Sequence, residues 1–202
     1  MKPFIVAICL LSSLAFSSCA QSPEQAKPVL DCIATRTSVR SFKATPVPEE
    51  LIQTMLRAAM AAPSAVNKQP WRFIVIESRA TLDTIAANFS TMRHAAKAPL
   101  AIVVAADMNS TLPGDAKLSW VADCSAATEN LLLAAHACGL GATWCGVFPR
   151  QSRIEPLSKL LELPGNIIPL NVVVIGYPDK DNTPKDKWKP ENIHREKWNN
   201  HS

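Results

Sequence analysis

Seven consecutive apolar residues, Leu100 to Ala106, limit what this chain can become more than any other feature. A strand with one wet face alternates apolar and polar side chains, so an unbroken apolar run predicts a strand buried on both faces. Trp71 to Ile76, rich in β-formers, joins it at the expected centre of a sheet, and Ala142 to Val147 and Ile168 to Ile175 read as two more strands. Leu51, Ile52, Met55, Leu56, Ala59 and Met60 recur at helical spacing. Pro48 suits the first position of that helix, Glu49 and Glu50 suit its dipole, and Ala62-Pro63 stops it. A long helix is predicted from about Leu118 to Cys138, ending at Gly139, where a residue free to take positive φ is wanted. Its apolar breadth predicts burial, at a subunit interface among other places. A further helix around Ile154 to Leu161 is closed by Pro164-Gly165. Helices and strands mix without a regular βαβ period, which predicts an α+β layered architecture and not a doubly wound one.

Several function classes drop out on composition. At 202 residues and 48% hydrophobic, the chain can form one domain with a real core. Its 21 Lys+Arg and 17 Asp+Glu are dispersed and form no basic stripe, so nucleic acid is not an expected partner. With 6 glycines there is neither G-x-G-x-x-G nor G-x-x-x-x-G-K-[ST], so a nucleotide would have to be held by something other than a Rossmann turn or a Walker loop. His94, His136, His194 and His201 form no H-x-x-x-H pair, and no metal site is expected. Cys32, Cys124, Cys138 and Cys145 match no zinc spacing and no dense disulfide frame, and read mostly as core residues.

The first 19 residues read as an export leader. Lys2 supplies a positive start, Phe4 to Leu14 a short apolar stretch, and Phe16-Ser17-Ser18-Cys19 a small-residue cleavage site. The stretch is too short to span a membrane. A cysteine after two small residues resembles a lipobox, with Cys19 lipidated, although Phe16 stands where Leu or Val is usual; ordinary cleavage with Cys19 an incidental thiol fits the same residues. Residues 20–30, polar with two prolines, read as a tether, and 31–202 as the domain. The charged stretch from Asp179 to Trp198 is expected to wrap over a surface.

Three segments carry chemistry. Arg36-Thr37-Ser38-Val39-Arg40-Ser41-Phe42 places two guanidiniums and a hydroxyl within five residues, either an anion grip or a solvated basic turn. In Pro63-Ser64-Ala65-Val66-Asn67-Lys68-Gln69-Pro70-Trp71, the amides of Asn67 and Gln69 suit the edge of a planar heteroaromatic ring, though a plain helix-to-strand loop has the same composition. The glycines of Gly139 to Pro149 permit close backbone approach to a flat ligand, or else serve a helix cap and a strand bulge.

In content and order these segments resemble the nitroreductase family, whose pattern runs R-x-S-x-R-x-F, then A-P-S-x-x-N-x-Q-P-W, then D-x-x-A-A-x-x-N-x-x-L-A-A leading into G-L-G; here Asp123, Ala126, Ala127 and Asn130 stand in the third motif. The resemblance covers residues 32–198. It implies a nitroreductase-like fold with a central, mostly antiparallel sheet flanked by helices, and a homodimer with FMN at the subunit interface. It also implies a ping-pong cycle from NADH or NADPH to nitroaromatic, quinone or similar electron-poor acceptors. By position, Arg36, Thr37 and Ser38 would hold the FMN phosphate with Lys185, Lys187 and Arg195. Arg40 would face the pyrimidine edge, where a cation stabilises the charge gained on reduction. Pro63, Ser64, Ala65 and Asn67 would line the ring, with Trp144, Cys145 and Gly146 on its other side. Some relatives carry Glu where Gly146 stands, so no acid or base role is expected there. The chemistry belongs to flavin N5 and needs no catalytic side chain.

Leader and family pull apart, because reduced nicotinamides belong to the cytoplasm. The expectation is a domain on the periplasmic side of a bacterial membrane, anchored only through lipid at Cys19. The competing reading is an exported lipoprotein that binds flavin without nicotinamide-driven turnover. A specialised reductase or dehalogenase on the same fold also stays open, since Met108 to Lys117, the expected substrate loop, carries no decisive residue.

Overall fold

A computed structural model describes residues 23–198; the leader and Cys19 lie outside the described residues. Within the span read as a tether, the chain forms a helix, α1 (Pro23–Thr35). Pro23 sits at its first position, where no backbone N–H is needed, and Lys27 pairs with Asp31 one turn on. Pro23 is therefore compatible with a helix start, whereas Pro28 lies inside the helix and has no N–H to donate to the preceding turn. α2 (Glu49–Met60) follows; Pro48 is its cap residue in extended conformation, one position before that expected.

The sheet is built from β1 (Trp71–Ile76), β2 (Leu100–Asp107), β3 (Gly141–Gly146) and β4 (Ile167–Gly176) in the order β1-β2-β4-β3, with every pairing antiparallel. β2 is central as expected, but β1 lies at an edge of the described sheet and β4 takes the inner place beside β2. The burial pattern explains why: Arg72 and Val75 of β1 are exposed, whereas β4 is buried from Pro169 to Gly176. Helices cover both faces. Leu100, Ile102, Val104 and Ala106 point into one core with α2 and the long helix α4 (Ser119–Ala137). Ala101 and Val103 point into a second core with α3 (Arg79–Asn88) and α5 (Gln151–Leu160). The alternation puts consecutive apolar residues in two different cores, which is why the run has no polar break.

α3 had no counterpart in the sequence reading. Ser78 caps it by accepting the Thr81 N–H, and it buries Leu82, Ile85 and Ala86. α4 buries one stripe, Trp120, Asp123/Cys124, Ala127/Thr128, Leu131/Leu132 and Ala135, at the expected three-to-four spacing. It ends in a Schellman arrangement: Gly139, at φ 74°, donates to His136 O at 3.0 Å and Leu140 to Ala135 O at 2.8 Å. No helix among the described residues is long and apolar enough to cross a membrane.

Candidate functional site

The strip from Ser38 to Phe42 is held at both ends. Ser38 bridges Ala142 in parallel, Val39 N–H donates to Ala142 O at 3.0 Å, and the Thr143 hydroxyl donates to Val39 O. Phe42 bridges Pro178, Lys43 N–H donates to Tyr177 O at 2.9 Å, and Asp179 N–H donates to Ser41 O at 3.0 Å. Burying Val39 and Phe42 in the second core leaves Ser38 and Arg40 exposed beside them. With Val39 and Phe42 turned inward and both ends of the strip hydrogen-bonded, Ser38 and Arg40 stand on a fixed ledge.

That ledge lines a cavity of about 400 Å³ with Arg36, Thr37, Ser38 and Arg40 on one wall and Asn182, Thr183, Lys185 and Lys187 of the tail on the other. Its lining contains no carboxylate. Arg36 Nε pairs with Glu129 of α4 at 3.2 Å on the adjoining side. Arg195 is exposed on the tail and does not line this cavity, a departure from its expected place at the phosphate. Asn182 and Thr183 escaped the sequence reading because their amide and hydroxyl lie in a run whose lysines dominate the pattern.

Arg40 also lines a second cavity of about 400 Å³, where Thr143, Trp144, Cys145 and Gly146 form the β3 wall. A Cβ at Gly146 would meet nothing within 4 Å, so this wall is open and smooth, whereas a Cβ at Gly141 would sit 2.6 Å from Val39. Of the two readings of these glycines, helix capping applies to Gly139; Gly141 is required by the close approach of Val39 and not by a ligand, and Gly146 faces open space on the cavity wall.

Pro63, Ser64, Ala65 and Asn67 line neither cavity. They belong to a tight turn in which Val66, Asn67 and Gln69 all have positive φ, a costly conformation for a β-branched valine. The turn is pinned by Ala65 N–H donating to Asp123 Oδ1 at 2.8 Å and by Gln69 N–H donating to Ser64 Oγ at 3.0 Å. Asp123 and Glu129 are six residues apart on α4, about 9 Å of rise and about 240° of rotation. Helix geometry therefore places the turn and Arg36 on different sides of α4, which is why one chain does not bring all the expected residues together.

Cys145 is buried, with Sγ 3.7 Å from His94 Nε2. Burial pushes its thiol up to about 11, against the pull of Arg40 and Arg153. Burial, with Arg40 beside it, holds His94 below the ordinary imidazole value. At pH 7.5 fewer than about one Cys145 in a thousand is thiolate. Alkylation by iodoacetamide at that pH is expected to mark half-buried Cys138 before Cys145, whose rate climbs about tenfold per pH unit toward pH 10. Peptide mapping after a short pulse checks this, and preferential labelling of Cys145 at pH 7.5 would contradict it. Among the described residues there is neither a disulfide nor a cluster suited to a metal ion.

The expected substrate loop is anchored at its base. Asp107, at the end of β2, accepts from Arg72, the Asn109 N–H, Ser110 and Asn166 within 2.8 to 3.3 Å. Hydrogen bonds from Asn166 and Asn109 and the charge of Arg72 hold its carboxyl below the usual range.

Comparison with known proteins places this geometry. The sequence model of the nitroreductase family matches residues 33–92 and 86–177. A candidate NADH dehydrogenase/NAD(P)H nitroreductase of Methanothermobacter thermautotrophicus is 43% identical over 171 residues, 84% of this chain and 87% of that protein. The crystal structure of a candidate NADH dehydrogenase/NAD(P)H nitroreductase from Parabacteroides distasonis superposes with a TM-score of 0.79 at 44% identity, covering 84% of this chain and 98% of its own. A candidate nitroreductase from Desulfovibrio desulfuricans, solved in complex with FMN, has a TM-score of 0.72 at 28% identity, covering 85% and 98%.

Proposed function

This chain belongs to the nitroreductase family, and from that premise we propose that it is an FMN-dependent oxidoreductase that takes electrons from NADH or NADPH and passes them to electron-poor rings such as nitroaromatics or quinones. The observation that carries the proposal is the convergence of Arg36, Ser38, Lys185 and Lys187 on one carboxylate-free cavity that meets, through shared Arg40, an open wall at Trp144 to Gly146. A dianionic phosphate suits the first half and a flat ring the second, so the residues present fit FMN.

Arg36, Ser38 and the two lysines would hold the phosphate, with Thr37 beside them. Arg40 would face the pyrimidine edge, where its fixed positive charge favours the reduced, negatively charged form of the ring. Gly146, lacking a side chain, would let the ring lie against β3. When bound, FMN supplies hydride acceptance and return at N5, chemistry the side chains of this cavity do not provide. With Cys145 held protonated and His94 neutral, neither supplies a charge beneath the ring at pH 7. Donor and acceptor would use the same opening in turn, which gives ping-pong kinetics.

Completion of the ring site would come from a second copy. Val29, Leu30, Ile33 and Met60 are 53 to 62% exposed and Val66 is 80% exposed. Val29 and Ile33 line an apolar groove of about 420 Å³ between α1, α2 and α4. A homodimer would cover this surface and bring the Pro63–Asn67 turn of one copy toward the cavity of the other. The N-terminal residues support export and a lipid anchor at Cys19, and with them a periplasmic setting.

The test is equilibrium titration of flavin-free protein with FMN and with riboflavin, which lacks only the phosphate. With several charge-assisted contacts to that group, FMN is expected to bind about a hundredfold more tightly or better. Equal affinity for the two would overturn the assignment of the phosphate cavity.

A further inference from the structure

The cavity at Gly146 carries more positive charge than an FMN ring requires. Besides Arg40 it is lined by Arg150 and Arg153 at the start of α5 and by Thr91, and no carboxylate lines it. Among the described residues neither Arg40, Arg150 nor Arg153 makes an ion pair, whereas Arg36, Arg72 and Arg79 each meet a carboxylate within 3.2 Å. Arg153 is half-buried and its Nη1 donates to Gly146 O at 2.6 Å, so its guanidinium is already oriented beside the ring wall. Arg150, at the cap position, is exposed at the mouth. α5 has no acidic residue in its first turn, in contrast to the Glu49 and Glu50 that open α2. Two cations at the positive end of a helix repel it, and structural pairing does not offset that cost here.

We propose that the redox partner received in this cavity bears an anionic group, a carboxylate, sulfonate or phosphate, and that Arg150 and Arg153 hold it while the partner's ring lies over the flavin ring, on the side turned away from Gly146. The proposal rests on the FMN reading for the position of the ring. Arg40 is committed there to the pyrimidine edge, which leaves the α5 pair for the partner. Planar guanidiniums about a turn apart on one helix can grip an oxyanion together, and a neutral quinone gives them nothing to hold. The anionic group belongs either to the acceptor or to the phosphates of the nicotinamide donor.

The test uses FMN-reconstituted protein and separates the two half-reactions by rapid mixing. The acceptors are 1,2-naphthoquinone-4-sulfonate and the neutral menadione, and the donors are NADH and NADPH. Arg150→Ala is expected to lower the sulfonate-to-menadione ratio of kcat/KM about tenfold, with Arg150→Lys retaining most of it. The same loss confined to donor affinity would support the proposal with the dinucleotide phosphates as the source. A sulfonate-to-menadione ratio and donor affinities that stay the same in Arg150→Ala and in Arg153→Lys would overturn it. Failure of the FMN reading shows itself earlier, as a protein that retains no flavin. In that event the sulfonate is titrated calorimetrically against flavin-free protein, where weaker binding to Arg150→Ala supports the anion site and no binding overturns it.

Discussion

Arg36→Ala is expected to weaken FMN binding by about 1.5–3 kcal/mol, roughly 10- to 150-fold in Kd, measured by fluorescence titration of flavin-free protein. The Arg36 side chain is 19% exposed and lines the cavity with Ser38, Lys185 and Lys187, so it would meet a phosphate partly out of water, where charge-assisted bonds hold their strength. Its removal also leaves Glu129 unpaired beside the same cavity, adding a repulsion that alanine cannot screen. Arg36→Lys should recover part of the loss, since it restores the charge but not the fork. An unchanged Kd in Arg36→Ala would mean that the phosphate lies elsewhere.

Gly141→Ala should reach the site from inside the fold. The new Cβ would stand 2.6 Å from Val39 Cβ, an atom fixed to the backbone that no rotamer change can move. Relief requires the Ser38–Phe42 strip to lift from β3, against the Val39-to-Ala142 hydrogen bond. A stability loss of about 1–3 kcal/mol is expected, a fall in Tm of about 2–4 °C per kcal/mol, together with weaker FMN binding although no cofactor contact is touched. Gly146→Ala is the contrast, because its Cβ meets open space within the chain and Tm should hold within about 0.5 kcal/mol equivalent. Equal thermal shifts for the two substitutions would contradict the packing described for Val39.

The fold was legible where burial leaves a periodic signature. The unbroken run at Leu100 to Ala106 required cover on two faces, and α2, α4, α3 and α5 provide it. Strand direction was not in that run, since buried strands of either sense look alike; the antiparallel expectation came from the family resemblance. The rank of β1 in the sheet was misjudged because its residues are β-formers wherever they sit, and only Arg72 and Val75 betray an edge. Residues 20–30 read as a tether because proline signals a break more loudly than Lys27 and Asp31 signal a helical turn, whereas α1 begins at Pro23.

The site shows the same division. R-x-S-x-R and the tail lysines, more than a hundred residues apart in sequence, line one cavity. Asp123 and Glu129 stood inside the third motif without a role, because their partners, Ala65 N–H and Arg36, are set by the tertiary position of α4. The Arg150 and Arg153 pair has no counterpart among the sequence motifs, and its significance rests on the missing carboxylates around it, which no sequence pattern displays.

The visible absorption spectrum of the purified protein under anaerobic conditions, before and after addition of NADH and then NADPH, tests the central claim most directly. A flavin spectrum that bleaches on adding either donor is the predicted result. A protein that holds no flavin after reconstitution with FMN, or one whose flavin neither donor reduces, would contradict it.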